Sequence, residues 1–196
     1  MRQALQSLER RNQELFLLFL CERMMPDFVS FGSDTGYDVL SYRKFLDDCW
    51  DYLATVRDLP RDEALPDPPD MDDFTHPLKS EALNAAISGQ NLKQFLHKAD
   101  LGLIVVAATL AIDSVSFFLQ HKLDPRISEG TVAYNREELE RLFDIINSDP
   151  LMQRELHRQN EDVAFLEGLP VKAHRAMVPH FKQRALNYKL YNGATR

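Results

Sequence analysis

Apolar residues recur at the three- and four-residue spacing of amphipathic helices along nearly the whole chain. The clearest example steps through six positions by threes and fours: Val39, Tyr42, Leu46, Cys49, Leu53 and Val56. This spacing places the six side chains on one helix face, which we expect to pack toward a core. No segment gives a convincing strand pattern. The periodicity therefore predicts an all-α protein, a single helical bundle of six or seven helices.

The first predicted helix becomes strongly apolar in the stretch "LFLLFLCERMM", which ends at Met25. Pro26 follows, and proline disfavours the α conformation in the residue before it. We therefore expect the helix to end at Met25 and the residues after Pro26 to form a connector. This ending would place Cys21 in the last helical turn.

Two further helices are predicted in the middle of the chain. A short one covers Ser80–Ser88 and ends at Gly89. A long one begins at Asn91, where Gln94 three residues later gives a capping-box pattern, and runs to about Leu123. We expect this long helix to form the central axis of the bundle.

Start and stop signals bracket the last helices. Asn135 with Glu138 forms another capping-box pattern, and Asp149–Pro150 places an N-cap before a proline at the first helical position. The helix that begins at Pro150 is predicted to end at Gly168, and a final helix is predicted to begin near Pro170.

A long irregular loop is predicted between Arg57 and Lys79, because this segment contains half of the 10 prolines. Between Asp58 and Pro77 the sequence contains seven acidic residues and one base, so this loop carries −6 of the net charge of −7. We expect residues 1–196 to form a single helical domain, with this acidic loop at 57–79 and a basic C-terminal helix at 170–190.

Composition places the chain among soluble globular proteins, since 44% of its residues are hydrophobic and 27% are charged. The two cysteines, Cys21 and Cys49, are too few for a disulfide framework, and the charged N-terminus does not resemble a secretory signal. The uncharged run Leu101–Ile112 is shorter than the roughly 20 residues that cross a bilayer. A cytoplasmic protein without a membrane span is therefore expected, and its negative charge gives no overall case for nucleic-acid binding.

Three segments carry a family resemblance. "LCERMMPDFVSFG" (Leu20–Gly32), "DDF" (Asp72–Phe74) and "DPLMQRELHRQNEDVAFLEGL" (Asp149–Leu169) resemble the YjaG-like family, a bacterial domain family of unknown function. The resemblance implies an all-α domain in the bacterial cytoplasm. It implies no reaction, and it does not extend to the basic C-terminus.

The triplet Cys21-Glu22-Arg23 is the first candidate for chemistry. A cysteine in a last helical turn meets the negative end of the helix dipole, which disfavours the thiolate, so a structural Cys21 is favoured over a nucleophile. Arg23 suits that position, but Glu22 needs a partner. We expect a base from another segment to pair with it, either Arg43 or Lys44.

A polar stripe in the long helix is the second candidate. Thr109, Asp113, Ser116 and Gln120 share one face, and Asp113 is the only formal charge between Asp100 and Lys122. We favour a boundary between the helix and water. The alternative is a pocket lining in which Asp113 has a raised pKa, so that Glu22, Arg23 and Asp113 would be pocket residues.

The C-terminal segment is the third candidate. No acid occurs from Gly168 to Arg196, and five bases in it could bind phosphate groups: Lys172, Arg175, Lys182, Arg184 and Lys189. A helix with a solvated basic face, or one lying against the acidic loop, is favoured over a nucleic-acid site.

No metal or cofactor is expected, because the six histidines lack ligand-like spacing and phosphate-loop motifs are absent.

Three functional classes remain open. A non-catalytic interaction or accessory protein fits the lack of catalytic motifs and is the favoured interpretation, with a protein partner or self-association. Association with nucleic acid through the basic C-terminal helix is the second. The third is an enzyme whose site is assembled from dispersed polar residues such as Glu22, His97 and Asp113.

Overall fold

The computed structural model describes residues 2–54, 64–70, 76–124, 126, 133–170 and 174–186. Within these ranges the chain forms helices and no strand, which confirms the predicted all-α class. The described part contains eight helices rather than six or seven. They are α1 Arg2–Ser7, α2 Arg10–Thr35, α3 Leu40–Ala54, α4 Lys79–Lys98, α5 Leu101–Leu123, α6 Arg136–Ser148, α7 Pro150–Glu167 and α8 His174–Leu186.

Helix α2 is the axis of the bundle. Every residue from Asn12 to Met25 is buried, so this helix is enclosed on all sides and not on one stripe. It packs against α3, α4, α5, α7 and α8. The prediction that a long helix beginning at Asn91 forms the axis is therefore wrong.

The predicted end of the first helix at Met25 is also wrong, because α2 continues through Pro26 to Thr35. Proline removes one backbone hydrogen bond within a helix. Against this loss, Phe28 and Phe31 are fully buried in the two turns that follow, and their burial stabilises the continued helix. The helix ends at Thr35 and is followed by the cap residue Gly36, whose φ of 76° is left-handed and natural for glycine.

Helices α4 and α5 meet at a different point from the one predicted. Gly89 lies inside α4, and Asn91 is a buried residue of that helix and not an N-cap. The break comes at Ala99, with a left-handed φ of 54°, and at Asp100, whose side chain accepts a hydrogen bond from the Gly102 amide. The stronger cap is therefore the aspartate, nine residues after Asn91.

Gly89 allows α4 to approach α3 closely, and Gly89→Ala should lower the free energy of unfolding by about 1–3 kcal/mol. A Cβ at this position would lie 2.8 Å from Cδ1 of Tyr42. Tyr42 is buried, and its hydroxyl donates to the carbonyl of Pro66 at 2.7 Å, so the ring cannot retreat freely. This overpacking outweighs the gain of about 1 kcal/mol in helix propensity.

Urea unfolding followed by circular dichroism measures the effect. Gln183→Ala, at an exposed position of α8, is the control and should change stability by less than about 0.5 kcal/mol. A Gly89→Ala protein as stable as the parent would contradict the close approach.

The predicted caps of the later helices are confirmed. The Asn135 side chain accepts from the Glu138 amide, and the Glu138 carboxylate accepts from the Asn135 amide, both at 2.9 Å. Asp149 caps α7 by accepting from the Leu151 amide at 2.7 Å, and α7 ends before Gly168. These signals are local, so the sequence alone was sufficient to place them.

Residues 64–70 and 76–78 of the predicted irregular loop have no regular helix or strand, whereas Lys79 already belongs to α4. Side chains from α3 and α4 hold it through the Pro66 carbonyl, which accepts from the Tyr42 hydroxyl and from Gln90 Nε2. The Tyr37 hydroxyl donates to the Asp67 carbonyl. Residues 57–63 and 71–75 of the predicted loop lie outside the described residues, as does Val56 of the predicted apolar pattern that begins at Val39.

Within the described residues, α5 is the one helix whose length and apolar composition would suffice to cross a membrane. Four of its residues, Ile104, Ala107, Ala111 and Val115, are fully buried in the core. A core helix meets the same compositional test, so this feature is weak support for a membrane span.

Candidate functional site

Charged side chains from four helices converge where α2, α3, α7 and α8 meet, and together with Trp50 and Gln159 we call them the charge cluster. Glu22, Arg23, Glu155 and Asp162 are buried, whereas the side chains of Asp47 and Lys182 are 50% and 41% exposed. Its members come from four helices: Glu22 and Arg23 from α2; Arg43, Asp47 and Trp50 from α3; Glu155, Gln159 and Asp162 from α7; Lys182 and Arg184 from α8. It joins the Cys-Glu-Arg triplet to two of the predicted C-terminal bases.

Glu22 receives three hydrogen bonds from α3. The two terminal nitrogens of Arg43 donate to its two carboxylate oxygens, each at 2.7 Å, in a bidentate pair. Trp50 Nε1 donates to Oε1 of the same carboxylate at 2.6 Å. The predicted pairing of Glu22 with Arg43 is confirmed, while the contribution of Trp50 was not foreseen.

Arg23 points toward α7 and contacts two acids there. Its Nη1 donates to Asp162 Oδ2 at 2.5 Å, and its Nη2 donates to Glu155 Oε1 at 3.2 Å. All three residues are 2% exposed, so this is a charge network inside the core. The expectation that Arg23 lies at a helix C-terminus is wrong, because α2 continues for three further turns.

Gln159 completes the part of the charge cluster on α7. Its Nε2 donates both to Glu155 Oε1 and to the backbone carbonyl of Ala108 in α5, each at 3.0 Å. Glu155, Gln159 and Asp162 are spaced by four and three residues, so they occupy one face of α7. The side-chain amide of Gln159 thus connects the charge cluster to α5.

Helix α8 is attached to this network by two of its bases. Arg184 Nε donates to Asp162 Oδ1 at 3.0 Å, and Lys182 Nζ donates to Asp47 Oδ1 at 3.1 Å. Asp162 also binds Arg23, and Asp47 also binds Arg43 at 3.0 Å. Each carboxylate therefore bridges α8 to an arginine of another helix.

The electrostatics of the site favour ion pairing over proton or thiol chemistry. Burial opposes ionisation of Asp47, but the hydrogen bonds from Lys182 and Arg43 hold the pKa of Asp47 below its usual value. Burial, followed by the charge of Glu22, raises the pKa of Cys21 far above that of a free thiol. Cys21 is therefore a buried structural thiol, although the predicted reason, a position at the helix end, was wrong.

Asp113 stands apart from the charge cluster. It lies on a half-exposed face of α5 with Ser116 and Gln120, where Gln120 Nε2 donates to Ser116 Oγ at 3.0 Å. Burial alone raises the pKa of its carboxyl, and no hydrogen bond or ion pair joins it to another described residue. The structure thus brings Glu22 and Arg23 together but leaves Asp113 elsewhere.

The other predicted C-terminal bases divide into two groups. Arg175 is exposed on α8, whereas Lys172 and Lys189 lie outside the described residues. The carboxylates that bind Lys182 and Arg184 belong to α3 and α7 and not to the acidic loop. Two of the five bases are therefore turned toward the body of the protein.

Metal binding finds no support among the described residues, where no three histidine, cysteine or acidic side chains are grouped to hold an ion.

Glu155 and Asp162 are the main cluster residues that the sequence did not reveal. Glu155 and Asp162 are seven residues apart and therefore share one helix face, but nothing else in the sequence marks that face as buried.

Comparisons with known proteins agree on one family. The sequence matches the family described as "Protein of unknown function (DUF416)" over residues 1–192. It is 30% identical over 120 residues to "Uncharacterized protein YjaG" of Escherichia coli (strain K12), covering 53% of this chain and 61% of the relative. The chain thus spans less than two thirds of that relative.

A crystal structure of a DUF416 family protein from Shewanella baltica OS155 superposes with a TM-score of 0.74, covering 95% of this chain and 93% of the other. The two sequences are 18% identical, so the likeness concerns the fold alone. The family match covers nearly the whole sequence and includes every residue of the charge cluster. The chain belongs to the DUF416 family.

Proposed function

We propose that this protein is a non-catalytic interaction protein of the bacterial cytoplasm that works by binding another polypeptide chain. The observation that carries the proposal is the exposed apolar surface of α6. Leu139 and Phe143 are 37% and 46% exposed, Ile145 on the opposite side of the helix is 53% exposed, and only Ile146 of this helix is buried. Exposed apolar patches of this kind mark interaction sites in soluble proteins.

Helix α5 extends the same kind of surface. Val106 is 45% exposed, and Leu110 and Phe117 are half-buried on a helix that contacts α6. Phe143 and Leu139 are four residues apart and therefore lie on the same side of α6. Exposed apolar side chains on both α5 and α6 suit contact with a protein partner.

The charge cluster supports a structural role for the residues that first suggested chemistry. Glu22, Arg23, Lys182 and Arg184 are all paired with opposite charges. A catalytic acid, base or nucleophile needs access to a substrate and a pKa suited to the reaction. The buried Cys21 thiol and the paired charges around it offer neither.

A site-specific crosslink tests the proposal. A photoreactive phenylalanine analogue that replaces Phe143 should form covalent adducts with another polypeptide on irradiation of living cells. The same analogue at Arg175, an exposed position on α8, is the matched control and should give no such adduct. Adducts of equal yield at both positions, or none at Phe143, would contradict the proposal.

Nucleic-acid binding through the C-terminal helix stays a prediction without a specific observation in its favour. Lys182 and Arg184 are held by Asp47 and Asp162, so their charges are already partly neutralised. Arg175 is exposed on the same helix. Binding at low salt that is lost in a Lys182, Arg184 double neutralisation would support this alternative.

A further inference from the structure

One side of α5 is turned away from the core and carries almost no charge. Six residues on this side form what we call the α5 stripe: Gly102, Val106, Thr109, Asp113, Ser116 and Gln120. Val106 is 45% exposed, Thr109 is exposed, and the other four are half-buried. Helix faces that stay in water usually carry several charged residues, whereas this face has Asp113 alone. Such a composition suits contact with another protein surface.

The spacing of the α5 stripe is that of a seam between two packed helices. Its residues follow one another by alternating steps of four and three, which keeps one line of side chains toward a neighbouring helix. From Gly102 to Gln120 this line extends for about 27 Å. The α5 stripe is therefore long enough to pair with a second helix over five turns.

A second copy of α5 that runs antiparallel fits this seam side chain by side chain. A two-fold axis at the level of Ala111 places Val106 opposite Ser116 of the second copy. The same axis places Gly102 opposite Gln120 of the second copy. A larger side chain meets a smaller one in both cases, so the α5 stripe is complementary to itself.

The third pair gives a partner to the one charge of the α5 stripe. No hydrogen bond or ion pair joins Asp113 to another described residue, and the two-fold axis places it opposite Thr109 of the second copy. Thr109 Oγ1 now donates to the Val105 carbonyl at 3.0 Å, and on turning it can donate to that carboxylate instead. A hydrogen bond to an ionised acceptor is the stronger of the two. A parallel pair would instead place Asp113 against Asp113, which like charges disfavour.

The ends of α5 agree with the antiparallel arrangement. Asp100 and Lys122 are both exposed, and they stand equally far along the chain from Ala111. The axis therefore brings the end of α5 that carries Asp100 beside the end that carries Lys122 of the second copy. The dipoles of the two helices also oppose each other in this arrangement.

We propose that the α5 stripe binds a second copy of this chain, with the two α5 helices antiparallel about a two-fold axis at Ala111. The inference rests on the proposed function, since it identifies the polypeptide that covers the α5 part of the exposed surface. Each copy carries a net charge of −7, so two copies repel least where a face has a single charge.

Sedimentation velocity of the full chain over a range of micromolar concentrations tests the association. The parent should form a dimer, and Val106→Glu should raise the dimer Kd by about tenfold or more, because each copy would bury an unpaired carboxylate. Val29→Glu is the matched control, since Val29 is 46% exposed on α2, and it should leave the Kd unchanged. A monomer at every concentration, or equal effects of the two variants, would overturn the proposal.

Disulfide crosslinking tests the register. A mixture of Val106→Cys and Ser116→Cys proteins should form the mixed disulfide under mild oxidation, because these positions face each other across the axis. Each variant alone should crosslink far less, since its two copies would stand about 15 Å apart along the helices. The native Cys21 and Cys49 are buried and do not compete. Crosslinking of Val106→Cys alone in equal yield would indicate a parallel pair and overturn the register.

These results are distinct from those of the crosslinking at Phe143. A chain that stays monomeric while the analogue at Phe143 forms adducts would overturn the dimer and leave the proposed function standing. A dimer sensitive to Val106→Glu, together with no adduct at Phe143, would support the α5 contact and contradict the role of α6.

Discussion

Arg23→Met should lower the free energy of unfolding by about 3–5 kcal/mol. Methionine preserves much of the apolar length of the side chain but removes the cation that contacts both Glu155 and Asp162 in the core. Removal of one member of a buried ion pair costs more than the pair itself contributes, because the remaining charge keeps its desolvation penalty. Urea unfolding monitored by circular dichroism measures the change.

An exposed pair provides the control for Arg23. Arg141 pairs with Glu137 on the surface of α6 at 2.6 Å, and Arg141→Met should cost less than about 0.5 kcal/mol. The triple variant Arg23→Met, Glu155→Gln, Asp162→Asn should recover part of the loss, since it removes the buried negative charges. Equal losses for Arg23→Met and Arg141→Met would show that the buried network has no special weight.

Glu22→Gln should have the second largest effect, a loss of about 2–4 kcal/mol. The neutral amide has one acceptor oxygen where the carboxylate has two, so its NH₂ group would face a donor nitrogen of Arg43. Trp50 Nε1 and both terminal nitrogens of Arg43 now donate to Glu22, and they cannot all be satisfied by glutamine.

Thermal unfolding detects this change, with Glu137→Gln as the isosteric control at an exposed ion pair. An unchanged melting temperature for Glu22→Gln would contradict the importance of the buried carboxylate. Trp50→Phe, which removes one donor and keeps an aromatic ring, should fall between the parent and Glu22→Gln, at about 1–2 kcal/mol.

Features that depend on a few neighbouring residues could be predicted from the sequence. The capping box at Asn135, the start of α7 at Asp149 and the apolar seam of α3 all rest on contacts within one or two helical turns. The errors at Pro26 and Asn91 have the opposite origin. Local propensity indicated a helix boundary at both positions. At Pro26, the burial of Phe28 and Phe31 favours a continuous helix. At Asn91, the close packing of Gly89 against Tyr42 favours a continuous helix.

The candidate site divides in the same way. A lone glutamate in an apolar run signals that a partner is needed, and Arg43 is the next base along the chain after Arg23. The partners of Arg23 are 132 and 139 residues away, so no local pattern could identify them. The C-terminal bases suggested a ligand because they lie in a segment without acids, whereas their carboxylate partners come from α3 and α7.

The distance along the chain between Arg23 and its acids has a consequence for synthesis on the ribosome. Glu155 is made 132 residues after Arg23, which takes on the order of ten seconds at typical rates of elongation. During that interval the apolar axis helix α2 has emerged without the acids that neutralise its arginine. The nascent N-terminal half therefore carries Arg23 without either of its acidic partners until α7 has been made.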